Sequence, residues 1–495
     1  MKKYYDMREE KMNQSQTPLF DAMSAFHKKS PISLHVPGHK NGWVFNKKGQ
    51  ALYNPLLGID ATEISGLDDL HAPEGAILKS EQLLSDLYGV KRSYFLVNGS
   101  TVGNIAMILA TCREGDKVLV QRNCHKSILH GLMLANVQPI FLQPSYYEKW
   151  GIAGGVGSKL IEEALTVHPD IKAIIVTYPN YYGLGEDLTE MVRLAHQKGI
   201  PVLVDEAHGA HFQLGSPFPK PAISAGADAV VHSAHKTLPA MTMGSFLHVN
   251  SSLVDVDQVS FYLQMLQSSS PSYPIMGSLD LARAYLAAFT SEDKESLIEK
   301  ISDFRGELGA LQTVRVLEAP PGTLADPLKV VIQSTLGLSG FELQQLCEAE
   351  GIFTELADPD NLLMILPLLK MGAEFPFHEI VQTIKSVTED RIGNKAADLG
   401  VLLPDGRSMT GLEMPYSVMK HSKSKPVAFR KAVGEVSAEM VIPYPPGIPL
   451  IMSGEMITPE HISNLRRLLE LGSRFHGGSS LSNGELIVYE SGQTG

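Results

Sequence analysis

The chain has 495 residues, 44% hydrophobic and 19% charged, which is the composition of a globular protein and excludes disordered and fibrous classes. That length exceeds one ordinary core and fits two or three packed units. With 42 Lys and Arg against 54 Asp and Glu the net charge is -12, which argues against general nucleic-acid binding, because phosphate contacts need clustered cations.

Residues 1–30 read as an N-terminal arm with one short helix. The opening Met1-Lys2-Lys3-Tyr4-Tyr5-Asp6 runs into charged sequence without an apolar h-region, so no secretory signal is expected. No run of about 18 uncharged apolar residues occurs, so no membrane span is expected. Residues 31–80 are rich in Gly, Pro and His, punctuated at Pro37-Gly38, Gly58, Gly66 and Pro73-Glu74-Gly75, and are expected to form active-site and interface loops.

Over residues 81–291 short apolar runs alternate with helical stretches. Strands are predicted at Ser93–Val97, Lys117–Gln121, Pro139–Leu142, Ala173–Thr177, Val202–Asp205, Ala229–His232 and Ser245–Val249. Helices are predicted at Val102–Cys112, Ile128–Asn136, Ser158–His168 and Leu188–Lys198. This alternation predicts an α/β domain with a mainly parallel seven-stranded sheet. Ser245–Val249 follows too closely for a helical crossover and is expected to pair antiparallel. Leu253–Gln267, Gly277–Phe289 and Glu292–Leu311 read as helices, the last linking two domains within 292–320. A smaller α+β domain is expected over 321–476, with strands Leu328–Gln333 and Asn361–Leu366 and helices Gly340–Glu350, Phe377–Asp390 and Pro459–Leu471. Residues 477–495 read as a tail.

Cys112, Cys124 and Cys347 show no CxxC spacing, which argues against a disulfide framework or a thiolate zinc site and points to a reducing cytoplasm. His208 and His211 stand at a usable ligand spacing, but no Cys or carboxylate pattern completes a zinc motif, so no metal is expected. There is no GxxxxGK[ST], no GxGxxG after a strand and no HExxH.

The remaining polar signals stand at strand ends, where ligands of open α/β sheets bind. Asn98-Gly99-Ser100-Thr101 opens a helix after the first strand; its N–H groups and hydroxyls form either an anion cradle or a plain N-cap. Asp205 closes an apolar strand, either to hold a proton on a cofactor ring nitrogen or to cap a turn. Lys236 follows another strand in Ser233-Ala234-His235-Lys236; it is either a surface lysine or an amine able to form an imine with an aldehyde. Together, a phosphate cradle, a carboxylate and a lysine on successive strand ends form the set that pyridoxal phosphate needs. His125 is the candidate to stack on its ring, with helix capping as the alternative.

His125-Lys126-Ser127, Asp205-Glu206-Ala207-His208-Gly209 and Ser233-Ala234-His235-Lys236 resemble signature segments of the Orn/Lys/Arg decarboxylase family. So do His35-Val36-Pro37-Gly38-His39-Lys40, Leu67-Asp68-Asp69-Leu70-His71-Ala72-Pro73, Ser270-Pro271-Ser272-Tyr273-Pro274 and Pro445-Pro446-Gly447-Ile448-Pro449. The resemblance implies the aspartate-aminotransferase fold type, pyridoxal 5'-phosphate as cofactor, and decarboxylation of a basic amino acid. Arginine or lysine is expected first and ornithine next, giving a polyamine-pathway amine and CO2. It implies that Lys236 carries the cofactor aldehyde, Asp205 pairs with the pyridine nitrogen and His125 stacks on the ring. Ser100, Thr101, Ser233 and His235 are implied to hold the phosphate. Ser269, within Ser268-Ser269-Ser270, is implied to reach the phosphate of a neighbouring subunit, hence a homodimer or higher homo-oligomer. Pro37-Gly38-His39 and Asp68-Asp69-Leu70-His71 would line the substrate side.

The chain resembles the short bacterial form, without the additional N-terminal receiver-like domain of long family members. Met241-Thr242-Met243-Gly244 is more apolar than versions that carry a Gln nearby. Another pyridoxal-phosphate reaction on the same scaffold, an aminotransferase or aldol-type lyase, remains open, as does a non-catalytic homologue that kept the fold.

Overall fold

The computed structural model describes residues 12–389, 391, 407–444, 449–470 and 472–490. All seven predicted strands form within a large mixed sheet, and Met409–Gly411 is a further strand of it. The chain divides into two compact units. One comprises Met1–Ala110, Val204–Gly215 and Lys220–Thr290; the other comprises Thr111–Leu203, Ser216–Pro219 and Ser291–Gly495. The strand Val202–Asp205 begins in the second unit and ends in the first.

In the first unit, Ser245–Val249 runs antiparallel to both Arg92–Leu96 and Ala229–His232, as its short connection requires. These strands are buried along almost their whole length, with Phe95, Leu96, Val231, Phe246 and Leu247 in the core. The helix Gly99–Thr111 packs so closely that a Cβ on Gly103 would lie 2.7 Å from Leu96 Cδ1. A glycine there lets the helix start reach the end of Arg92–Leu96. The predicted arm helix is Pro18–Lys28. Asp280 Oδ2 accepts from Leu19 N at 3.0 Å, and buried Arg283 Nη1 donates to the carbonyl of Gln14 at 2.6 Å.

Two helices lie where loops were expected. Lys47–Leu57 carries Pro55 internally, which reads as a break in a helical pattern, and leaves most of its side chains exposed. Ala76–Tyr88 starts without a local capping residue. Its cap is Asp68, whose Oδ2 accepts from Gly75 N at 2.8 Å and Ile77 N at 2.9 Å, while Oδ1 accepts from Glu74 N at 2.9 Å. Asp68 thus organises the backbone of this segment.

In the second unit, Lys117–Gln121 lies parallel between Gln138–Leu142 and Ile171–Thr177, and Met409–Gly411 adds antiparallel to Gln138–Leu142. Arg122 Nη1 and Nη2, just past the end of Lys117–Gln121, donate to Glu455 Oε1 and Oε2 at 2.7 Å each, out of solvent. A four-stranded antiparallel sheet follows, in the order Val314–Val316, Lys329–Ser334, Leu362–Ile365, Leu356–Ala357. The helix Gly340–Ala349 opens with a capping box: Ser339 Oγ accepts from Glu342 N at 3.2 Å, and Glu342 Oε2 accepts from Ser339 N at 2.7 Å. Residues 477–490 are not a loose tail. Glu485–Tyr489 pairs with Ser424–Ala428, and its Leu486 and Val488 join Val441, Ile451 and Leu465 in a buried cluster. Pro445-Pro446-Gly447-Ile448 lies outside the described residues. Among the described residues no helix is long and apolar enough to cross a membrane.

Candidate active site

The strand Val202–Asp205 is apolar until its last residue, which delivers Asp205 buried at the strand's carboxyl end. Both of its oxygens are engaged. Oδ2 accepts from Asn104 Nδ2 at 2.9 Å, and Oδ1 accepts from Ala207 N at 3.2 Å. Asn104 lies in the 13-residue helix Gly99–Thr111, one turn beyond Ser100 and Thr101. Gly99 has φ +75 and open space where a Cβ would stand, a conformation glycine adopts without strain.

After Ala229–His232 the chain turns into the short helix Ala234–Thr237. Ser233 N donates to the carbonyl of Ala207 at 3.3 Å. Lys236 Nζ lies 3.0 Å from His208 Nε2. His235 N and Nδ1 both donate to the carbonyl of Gly244, at 3.1 and 3.0 Å, and Gly99 N donates to the carbonyl of Met243 at 3.0 Å. These contacts close a ring: Asn104 to Asp205, Ala207 to Ser233, His208 to Lys236, His235 to Gly244, and Met243 back to Gly99. Six predicted residues, Ser100, Thr101, Asp205, Ser233, His235 and Lys236, therefore stand on one connected set of strand and helix ends.

Ser269 is exposed, and its neighbour Ser268 is attached to the same region by Ser268 N donating to Asn98 Oδ1 at 3.3 Å and by His71 Nε2 to the Ser268 carbonyl at 2.8 Å. His125 belongs to the other unit. There it caps the helix Lys126–Ala135, its Nδ1 accepting from Ser127 N at 3.2 Å. His208 was not among the predicted site residues; the signal for it was its place in the Asp205–Gly209 segment, three positions past the carboxylate. Asp68, expected on the substrate side, spends its carboxylate on capping, as described above.

Two hydroxyls of the segment that bears Lys236 stand apart: among the described residues, Ser233 Oγ and Thr237 Oγ1 are buried with no hydrogen-bond partner. Buried hydroxyls are otherwise almost always paired, and with a 13-residue helix start joined to the same ring of contacts they fit an anionic group. A lysine, a carboxylate and orphaned hydroxyls on one set of strand ends are the arrangement of an enzyme that holds an organic cofactor. Among the described residues no group of three His, Cys, Asp or Glu side chains is placed to hold a metal ion.

Comparison with known proteins agrees with that class. The Orn/Lys/Arg decarboxylase major-domain model matches residues 17–323, and the Orn/Lys/Arg decarboxylase C-terminal-domain model matches residues 409–493. The chain is similar to the arginine decarboxylase of Bacillus subtilis (strain 168), 33% identical over 476 residues, spanning 94% of this chain and 96% of that protein. It is 46% identical over 479 residues to the uncharacterized protein YaaO of the same organism, spanning 96% and 98%. Its fold is that of the Francisella novicida lysine decarboxylase (TM-score 0.80, 21% identity, 96% of this chain and 81% of that one). The constitutive lysine decarboxylase of Escherichia coli is similar too (TM-score 0.77, 22% identity, 96% and 82%).

The chain belongs to the Orn/Lys/Arg decarboxylase family. It is an amino-acid decarboxylase with pyridoxal phosphate as its cofactor.

Proposed function

We propose that this chain decarboxylates a basic amino acid, arginine or lysine first and ornithine next, to the corresponding amine and CO2, with the amine entering polyamine chemistry. The ring joining Asp205, Ser233 and Lys236 carries the reading. The 33%-identical relatives named arginine decarboxylase support arginine among the first substrates to test.

Bound pyridoxal phosphate supplies an electron sink for the pair released when the bond between Cα and the carboxylate breaks. In the proposed assignment Lys236 would hold the cofactor's aldehyde carbon, and His208, 3.0 Å from its amine, would take up or return the lysine's proton. Asp205 keeps a proton at the ring nitrogen, and Asn104 fixes the carboxylate in place. Ser100, Thr101, Ser233 and His235 would hold the phosphate, with Thr237 beside them, and His125 would be the group that packs on the ring. A proton delivered to Cα completes the balance: amino acid and proton in, amine and CO2 out.

We assign a cytoplasmic homodimer in which Ser269 reaches the neighbouring subunit's phosphate. Ile32, Leu34, Trp43 and Leu52 support it: each is more than four-fifths exposed in the single chain, and exposed apolar surface of that kind marks an interaction site.

The test incubates the loaded protein with arginine, lysine and ornithine separately and measures CO2, amine and 2-oxo acid. Amine and CO2 in equal amounts support decarboxylation. A 2-oxo acid without CO2 would assign an aminotransferase instead.

A further inference from the structure

Adjacent in the chain to the ring's residues is a second polar array that the proposed chemistry does not use. Glu206 Oε2 and His232 Nε2 are 2.7 Å apart, His232 Nδ1 and His248 Nε2 3.1 Å, and His248 Nδ1 and Ser93 Oγ 2.8 Å. All four side chains are fully buried. Glu206 Oε1 also accepts from Ala222 N at 2.9 Å. The Tyr88 ring lies 4.4 Å from the His248 ring and 5.2 Å from the His232 ring, and its hydroxyl donates to the Ala210 carbonyl at 2.6 Å. Burial raises the Glu206 carboxyl above its ordinary range. Burial, reinforced by the charge of His232, holds His248 well below the ordinary imidazole value.

Glu206 directly follows Asp205 in the chain, and His232 directly precedes Ser233. The Glu206–His232 contact therefore spans the segment bearing Asp205 and His208 and the segment bearing Ser233, His235 and Lys236. A dry core that needed only packing would be filled by apolar side chains, since a buried carboxylate between imidazoles is unfavourable unless every group is paired. Here every group is paired, and the pairing is directional, so it fixes separation and orientation as apolar packing does not.

We propose that Glu206 and His232 are positioning residues. Their hydrogen bond, backed by His248 and Ser93, sets the spacing between Asp205 and Lys236. The proposal rests on the assignment of Asp205 and Lys236 to the cofactor. Absorbance of the cofactor bound to the unaltered protein checks that assignment separately: if no cofactor band forms there, it is the assignment that fails.

The test compares Glu206→Ala, His232→Ala and Glu206→Gln as cofactor-loaded protein. Readouts are kcat, KM, and the visible circular dichroism of the bound cofactor, which reports its orientation. A displacement of about 1 Å in a reacting group lowers rate about 100-fold, so both alanine variants are expected to lose kcat on that scale. KM should stay within about threefold, because substrate contacts are untouched. The dichroic amplitude should fall with kcat. Glu206→Gln keeps the bond from Ala222 and a polar partner for His232, and should recover kcat to within about tenfold of the unaltered protein. Should the alanine variants not fold, the double variant Glu206→Gln/His232→Phe, which removes the charge and keeps the volume, replaces them with the same expected losses. Folded variants with unaltered kcat and dichroism would overturn the proposal. So would a loss of kcat with unaltered dichroism that glutamine does not recover.

Discussion

Lys236 Nζ and His208 Nε2 stand 3.0 Å apart, the amine at the end of one strand segment and the imidazole at the end of another. The imidazole is buried and the amine half-buried. This places a proton acceptor within reach of the amine, as the proposed alternation of Lys236 between proton-bearing and carbon-bound states would require.

Lys236→Ala is expected to lower kcat by at least about a thousandfold while the protein still takes up cofactor through its phosphate contacts. Borohydride treatment of the unaltered holoprotein followed by peptide mapping should fix the cofactor on Lys236 alone. His208→Asn is expected to lower kcat by about 100-fold, the scale of a positioned proton-transfer group. Steady-state rates check both.

Asp205 and Asn104 act together at 2.9 Å. Asp205→Ala is expected to reduce kcat at least about 100-fold, because a ring nitrogen without a carboxylate does not keep its proton. Asn104→Ala removes one hydrogen bond to a charged group, worth about 1.5–3 kcal/mol, so a loss of about 10- to 100-fold is expected. An Asp205→Ala protein with near-normal kcat would refute the role of the carboxylate.

Much of this arrangement was legible because the chemistry sits where apolar strands end. Val202–Asp205, Ala229–His232 and Ser245–Val249 match the strands read from their hydrophobic runs, so Asp205 and Lys236 were placed at strand ends from the sequence. The helix Ala76–Tyr88 was not legible, because its capping carboxylate, Asp68, lies outside the window in which a local N-cap signal is sought. Met409–Gly411 was missed because its three residues are too short to show alternation; they form a strand by pairing with Gln138–Leu142. His208 was hidden by its neighbour Asp205: a histidine three positions past a strand-end carboxylate shows no local pattern that separates it from a packed or capping histidine. The pairing of Glu206 with His232 joins residues 26 positions apart, which no local pattern reveals.

Gly103→Ala tests how the helix start is positioned. The added Cβ would meet Leu96 Cδ1 at 2.7 Å and both Val231 methyls at 3.1 Å. Overpacking of that kind destabilises by about 1–3 kcal/mol. Urea unfolding should show the loss, and equilibrium dialysis should show weaker cofactor binding as Ser100 and Thr101 move off the strand end.

Arg122 and Glu455 form a bidentate pair at 2.7 Å, both buried. Glu455→Ala leaves the guanidinium buried and uncompensated, and is expected to destabilise the protein by about 3–5 kcal/mol. Replacing both partners with apolar residues should restore much of that loss, which a denaturation series on the single and double variants would read.

His248 should make stability acid-sensitive. Its folded pKa is held well below the ordinary 6.5, first by burial and then by the charge of His232. The unfolded chain takes up a proton near that ordinary value while the folded one does not. The contribution is therefore complete above it and is lost as pH falls toward the folded pKa, at up to about 1.4 kcal/mol per pH unit. Glu206, raised by burial above the ordinary 4.5, acts oppositely, so that stability falls as pH rises from there toward its folded pKa. Unfolding midpoints of the unaltered protein and of His248→Gln, compared from about pH 7.5 to about pH 5.5, should differ in slope, with the variant the flatter.

The proposed decarboxylation of a basic amino acid falls on the Asp205–Lys236 site. Its most direct test is a single incubation of loaded protein with arginine, lysine and ornithine mixed, read by mass spectrometry for agmatine, cadaverine and putrescine, with Lys236→Ala as control. One dominant amine, absent from the control, is the predicted result. An intact cofactor spectrum with no amine formed would contradict it.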